Sequence, residues 1–199
     1  DTARSRGLEM CIRDSTASSQ YENNLISENY DIDKKKINQI TPGVDRKVFV
    51  LDENIKRENI LLSIGRIQEQ KRQLDVLKFL DNFRKIDSNF LCYFVGGPSG
   101  KSGDDYLIQL KDNVKELNLE SNTEFLGNLT QIKIKELMNR SKLLIHTSHF
   151  ETFGLVAIEA NTMGVPVLTT NQGPLSEIIE NNVNGYFCLL YTSDAADDP

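Results

Sequence analysis

The sequence predicts an α/β protein built on a doubly wound, Rossmann-like parallel sheet, and three observations predict it. From Asn59 onward, short apolar runs alternate with amphipathic stretches. That is the pattern of parallel strands joined by crossover helices on both faces of a sheet. A run such as Phe90 to Val95 is continuously apolar, as in a strand buried on both faces. Glycines close the runs at Gly65, Gly96-Gly97 and Gly127, and ligands in such sheets bind beyond the carboxyl ends of the strands. A chain of 199 residues is long enough for one or at most two domains with a real core.

The elements follow in order. Ile60-Leu61-Leu62-Ser63-Ile64 reads as a strand ending at Gly65. Leu74, Leu77 and Phe79-Leu80 mark an amphipathic helix to about Lys85. Phe90 to Val95 is a strand stopped by Gly96-Gly97-Pro98, and Leu107, Leu110, Val114 and Leu117 have helical spacing. Thr123 to Leu126 is a short strand, Ile132 to Met138 a helix, Leu143 to His146 a strand and Gly154 to Met163 a helix. Val165 to Thr169 is a strand, Leu175 to Glu180 a helix, and Gly185-Tyr186-Phe187 opens a last strand.

Residues 16–50 read differently. Tyr21 to Tyr30 suits a helix, Ile37 to Ile40 a short strand, and Thr41-Pro42-Gly43-Val44-Asp45 a tight turn. This segment is too short to fold alone and reads as the last element of a preceding domain. The charged stretch Asp52 to Glu58 then reads as a linker into the main unit, 51–187. Asp1 to Asp14 and Leu189 to Pro199 carry neither hydrophobic period nor turn logic and resemble translated adapter sequence. Residues 1–15 and 188–199 are therefore expected to be non-native, and the chain to be a fragment truncated at both ends.

Composition narrows the function. A formal net charge of −6 disfavours nucleic acid as a partner. No apolar run is long enough to span a bilayer, and a cytoplasmic protein is expected. Cys11, Cys92 and Cys188 lack metal-ligand spacing, and Cys92, inside an apolar run, is expected to be buried and reduced.

The densest chemistry lies in Glu151-Thr-Phe-Gly-Leu-Val-Ala-Ile-Glu159, two carboxylates separated by seven residues across a glycine turn that opens a helix. A helix N-terminus there turns backbone N–H groups and its dipole toward an anion. Carboxylates on either side suit the hydroxyls of a sugar and a ribose flanking a diphosphate. Arg66 follows the first strand, and Lys71 falls where the next helix is expected to begin. A cation at a helix start opposes the dipole, so a bound anion would offset an unfavourable placement. Gly96-Gly97 is expected to permit a tight turn or close approach to a ligand. His146 ends a strand near the site with no catalytic role assigned, and His149 reads as a loop residue.

In order, TPGVDRKVF (41–49), SIGRIQEQK (63–71), FVGGPSG (94–100), FLG (125–127), SHFETFGLVAIEA (148–160), GVPVL (164–168), GPLSEII (173–179) and NGYF (184–187) resemble the C-terminal half of a group-one glycosyltransferase. The resemblance is to family four of the sequence classification, with the two-domain GT-B fold, and covers residues 16–187. It implies a donor-binding domain of a retaining enzyme that takes a nucleoside-diphosphate sugar. By resemblance Arg66 and Lys71 neutralise the diphosphate, and Glu151 orients the donor sugar. Thr152, Phe153, Gly154 and Leu155 offer backbone N–H groups to the sugar and β-phosphate, with Gly154 allowing close approach. Glu159 accepts from the ribose hydroxyls. Arg66, Lys71 and Glu151 would be the catalytic set, with no cofactor and no divalent metal required.

The acceptor, a saccharide or lipid-linked glycan, would bind through the missing N-terminal domain, and the whole enzyme could associate peripherally with a membrane. The fragment alone is expected to bind donor weakly and transfer nothing. The GGPSG stretch is similar to that of some members that use UDP-sugars, and the loop after Gly127 is expected to meet the base. Pro174 replaces a glycine of the family pattern, which leaves the role of Glu177 open. Two other readings share the pocket: a non-catalytic nucleotide-sugar-binding module, and a UDP-N-acetylglucosamine epimerase of GT-B fold.

Overall fold

A computed structural model describes residues 15–171 and 173–188. The foreign character read into 1–14 and 189–199 lies outside the described residues. Ser15 and Cys188, grouped with those ends, belong to the fold. Ser15 pairs with Ile37 in a strand ladder, and the Cys188 amide donates to Thr169 O at 2.8 Å.

A small unit comes first: β1 (Ser15–Ala17), α1 (Gln20–Tyr30) and β2 (Ile37–Gln39), with β1 and β2 parallel. Ser19 caps α1 by accepting from Glu22 N at 3.0 Å, while Glu22 accepts from the Ser18 amide at 2.6 Å. The first bond satisfies an amide that a helix start leaves without a partner, and the second ties the residue before the cap to the first turn. Ala17, Ile32 and Ile37, with Ile26 against them, form its own small core.

The larger unit follows as β3 (Ile60–Ile64), α2 (Gln73–Arg84), β4 (Leu91–Val95), α3 (Gly100–Glu116), β5 (Thr123–Gly127), α4 (Gln131–Arg140), β6 (Leu143–His146), α5 (Leu155–Thr162), β7 (Val167–Thr169), α6 (Leu175–Ile178) and β8 (Gly185–Phe187). Its six-stranded sheet runs β5-β4-β3-β6-β7-β8, every pair parallel. Strand order therefore reverses between β3 and β6, the topological switch point of a doubly wound sheet.

Two cores cover the two faces. Leu61, Cys92, Phe94 and Ile145 meet Val76, Leu77 and Leu80 of α2 and Leu110 and Val114 of α3. Ile60, Leu62, Leu144 and Val167 meet Met138 of α4, Ala157 and Ala160 of α5, and Leu175 of α6. Successive residues of β3 thus serve opposite cores, as the twofold side-chain period of a strand requires. Each such Leu, Ile or Val taken out of water contributes about 1.5–3 kcal/mol. Cys92 is fully buried, and burial pushes its thiol well above the ordinary range.

The segment just before the expected linker packs on the larger unit. Phe49 is buried, and Val44 and Val48 pack beside it against the second core, so packing of the larger unit reaches back before residue 51. Arg57 donates to Ser141 O at 2.5 Å, Met138 O at 3.3 Å and Met163 O at 2.6 Å. These carbonyls lie at the ends of α4 and α5, where a cation offsets the helix dipoles. Among the described residues, no helix is long and apolar enough to cross a membrane.

Candidate functional site

The switch point opens a cleft. β3 delivers Ile64, Gly65 and Arg66 to its rim, and β6 delivers His146 and the loop to Glu151. The cleft has a volume of about 410 Å³, and Arg66, Lys71, Glu151 and Glu159 all line it, together with residues 152–155. Ser18 and Pro42 reach it from the small unit.

Lys71 sits otherwise than the sequence suggested. It ends a short 3-10 turn, Glu69–Lys71; Arg72 then takes a left-handed conformation (φ 53°), and α2 begins at Gln73. The turn is stitched to the loop after β6. Thr147 Oγ1 shares its proton between Lys71 O at 3.1 Å and Arg72 O at 3.0 Å, and the His149 amide donates to Gln70 O at 2.9 Å. The tether turns the Lys71 ammonium onto the Glu151 carboxylate as an ion pair.

Glu151 is the electrostatic centre. Its Oε1 meets both Lys71 Nζ and His146 Nε2, the latter at 2.9 Å. His146 is 5% exposed, and its Nε2 makes no aligned hydrogen bond. Burial would raise the carboxyl, but His146 and Lys71 override it and hold Glu151 at a pKa of about 2.

The helix start beside it carries no protein anion. Gly154, the N-cap of α5, has no side chain to cap the helix, and the first turn holds no acid. The leading amides of α5 and its positive dipole end face the cleft. Glu159 lies one turn on, and side chains of a helix lean toward its N-terminus, which carries this carboxylate back to the cleft wall. Burial raises its pKa. The arrangement combines cations and amides for an anion with two acids for hydroxyls.

Gly154 owes its identity to the fold as well as to any ligand. It holds φ 88°, and a Cβ there would lie 2.7 Å from Leu175 Cδ2. A Cβ on Gly96 would lie 2.0 Å from Gly65 O, so Gly96 serves the packing of two strand ends and does not line the cleft. In the loop after Gly127, the Asn128 side chain accepts from the Gly97 amide at 2.7 Å and also stays outside the cleft lining.

Sequence reasoning missed Ser18 and Pro42. Ser18 Oγ stands 2.9 Å from Thr152 O, a contact spanning 134 positions, and a lone serine carries no local signal of that. Glu177 also finds its place. Its carboxylate accepts from the Tyr21 amide at 2.6 Å and the Gln20 amide at 3.0 Å, capping the start of α1.

Comparison with known proteins converges on one description. Residues 46–198 match the family model for "Glycosyl transferases group 1". The D-inositol 3-phosphate glycosyltransferase of Rhodococcus jostii (strain RHA1) is 29% identical over 202 aligned residues, 92% of this chain and 43% of the relative. The N-acetyl-alpha-D-glucosaminyl L-malate synthase of Bacillus anthracis is 30% identical over 190, 89% of this chain and 47% of the relative. The chain thus spans less than half the length of either. Among solved structures, HepE of Anabaena in complex with UDP and glucose superposes with a TM-score of 0.78 at 22% identity, over 88% of this chain and 49% of that one. At that identity the likeness speaks for the fold.

Proposed function

The chain belongs to the group 1 glycosyl transferases, and from that premise we propose that its cleft holds a nucleoside-diphosphate sugar for transfer of the sugar to an acceptor. One observation carries the proposal: Arg66, Lys71, an uncapped helix start and the carboxylates Glu151 and Glu159 share one cleft at the switch point. The UDP and glucose held by HepE, a neighbour of the same fold, support it.

The proposed roles are those the resemblance implies, and the shared cleft supports them. The diphosphate lies against Arg66, Lys71 and the first amides of α5. Glu159 accepts from the ribose hydroxyls. Both contacts of Glu151 fall on Oε1, and Oε2 is the acceptor that a donor-sugar hydroxyl meets. A carboxylate so engaged orients the sugar and is a poor nucleophile. As the bond from the anomeric carbon to the β-phosphate oxygen breaks, negative charge grows on the departing diphosphate. Arg66, Lys71 and the helix amides line the cleft in which that charge would grow, and would stabilise it. The acceptor oxygen bonds to the anomeric carbon with configuration retained, and its proton passes to the leaving phosphate. The scheme includes no divalent metal.

Calorimetric titration with UDP, GDP and ADP tests the reading. At least one is expected to bind, and Arg66→Ala and Lys71→Ala each to weaken it by about 1.5–3 kcal/mol, the worth of charge-assisted hydrogen bonds. The proposal fails if none binds, or if both variants keep wild-type affinity.

A further inference from the structure

We propose that a second cavity, between α1 and the loop after β6, holds one pyranose ring of the acceptor; this rests on the donor reading of the neighbouring cleft. The cavity measures about 280 Å³ and is lined by Tyr21, His149, Phe150, Glu151 and Gly173. That is just below the range of about 300–1,000 Å³ typical of drug-sized ligands, which favours one ring over a long chain.

Its lining names the ligand class. Phe150 is 46% exposed and Tyr21 37%, so two aromatic rings stand partly in water on the walls of one small cavity. Aromatic faces pack against the C–H faces of sugars, while a carboxylate and an imidazole beside them meet hydroxyls. Among the described residues that line it there is no lysine or arginine, so a phosphate finds no cation here as it does in the donor cleft, and the Glu151 carboxylate disfavours a lipid tail. A neutral polyol with apolar faces meets neither objection.

Position supplies the second argument. Glu151 lines both cavities, so a ring seated here is one carboxylate away from the donor cleft. The wall is also held in place. Tyr21 stands in the first turn of α1, where its amide and that of Gln20 are gripped by Glu177. Gly173 fits beneath it with φ 63°, and a Cβ added there would lie 3.6 Å from the Tyr21 ring and 3.8 Å from Glu151 O. Glu177 is on this account a positioning residue that sets the ring of Tyr21 over the site.

Saturation-transfer NMR tests the subsite, with methyl α-D-glucopyranoside and methyl α-D-mannopyranoside as probes and the 199-residue chain as protein, with and without UDP. At least one glycoside is expected to bind in the millimolar range. Tyr21→Ala and Phe150→Ala should each weaken it about fivefold or more, and Tyr21→Phe, which keeps the ring, should bind as wild type. UDP affinity should stay at the wild-type level in all three variants. The proposal is overturned if neither glycoside gives a signal, or if the signal survives both alanine substitutions. It is also overturned if Tyr21→Ala weakens UDP-glucose without weakening UDP, which would place the donor's own sugar in this cavity. Ring-dependent glycoside binding without any nucleotide binding would support the subsite and sink the donor reading instead.

Discussion

Glu151 and Glu159 frame one helix start, yet their surroundings push them in opposite directions. Glu159 has burial alone, which disfavours its charge. Glu151 has burial opposed by His146 and Lys71, and the partners win. A folded-state pKa of about 2, against an ordinary 4.5, means that Glu151 stabilises the fold above the ordinary value. The stabilisation drains away as pH falls toward about 2. It amounts to roughly 3 kcal/mol at neutral pH, by linkage between proton binding and folding. Glu151→Gln should therefore lower stability near neutral pH and flatten its pH dependence between about pH 5 and pH 2. Urea unfolding across that range checks it; parallel profiles for variant and wild type would show that the ion pair contributes nothing.

At the scale of elements, the start of α5 is where fold and site meet. Gly154 combines a left-handed backbone with a Cβ position that Leu175 already fills. Gly154→Ala should cost about 1–3 kcal/mol of stability through backbone strain and the clash. It should also weaken nucleotide binding, because the amides beyond it would be re-aimed. Chemical denaturation and a UDP titration on one preparation read both effects, and a variant with wild-type stability would contradict the account. Much of this scale was legible beforehand. β3, β4, β5 and β6 fall on the apolar runs that suggested them, within a residue at each end. β7 starts two residues later than expected, at Val167, because Pro166 has no N–H for the ladder. α3 begins at Gly100, well before its first periodic leucine, since its opening turns are largely polar and leave no apolar period to read. The anchoring of Arg57 on the ends of α4 and α5 escaped notice because it joins positions more than 80 apart, beyond any local pattern.

At the scale of the whole molecule, the parallel sheet explains why residues distant in sequence form one site. The crossover that follows β5 returns the chain to the far side of β3. Gly65-Arg66 and the loop from His146 to Glu151 thereby come to the same edge of the sheet. Strand alternation and terminal glycines made that edge visible in the sequence, and the Glu151–Glu159 spacing pointed to its chemistry. The contribution of Ser18, Pro42 and Tyr21 was not visible, because it depends on how the small unit docks. That docking runs through Glu177 and Thr152, whose side chain and carbonyl could have met many other partners.

The most direct measurement is a crystal structure of this chain grown with UDP. The account predicts the diphosphate against Arg66, Lys71 and the first amides of α5, with the ribose hydroxyls on Glu159. A nucleotide seated elsewhere on the molecule, or one in this cleft with its phosphates turned away from Arg66 and Lys71, would contradict it.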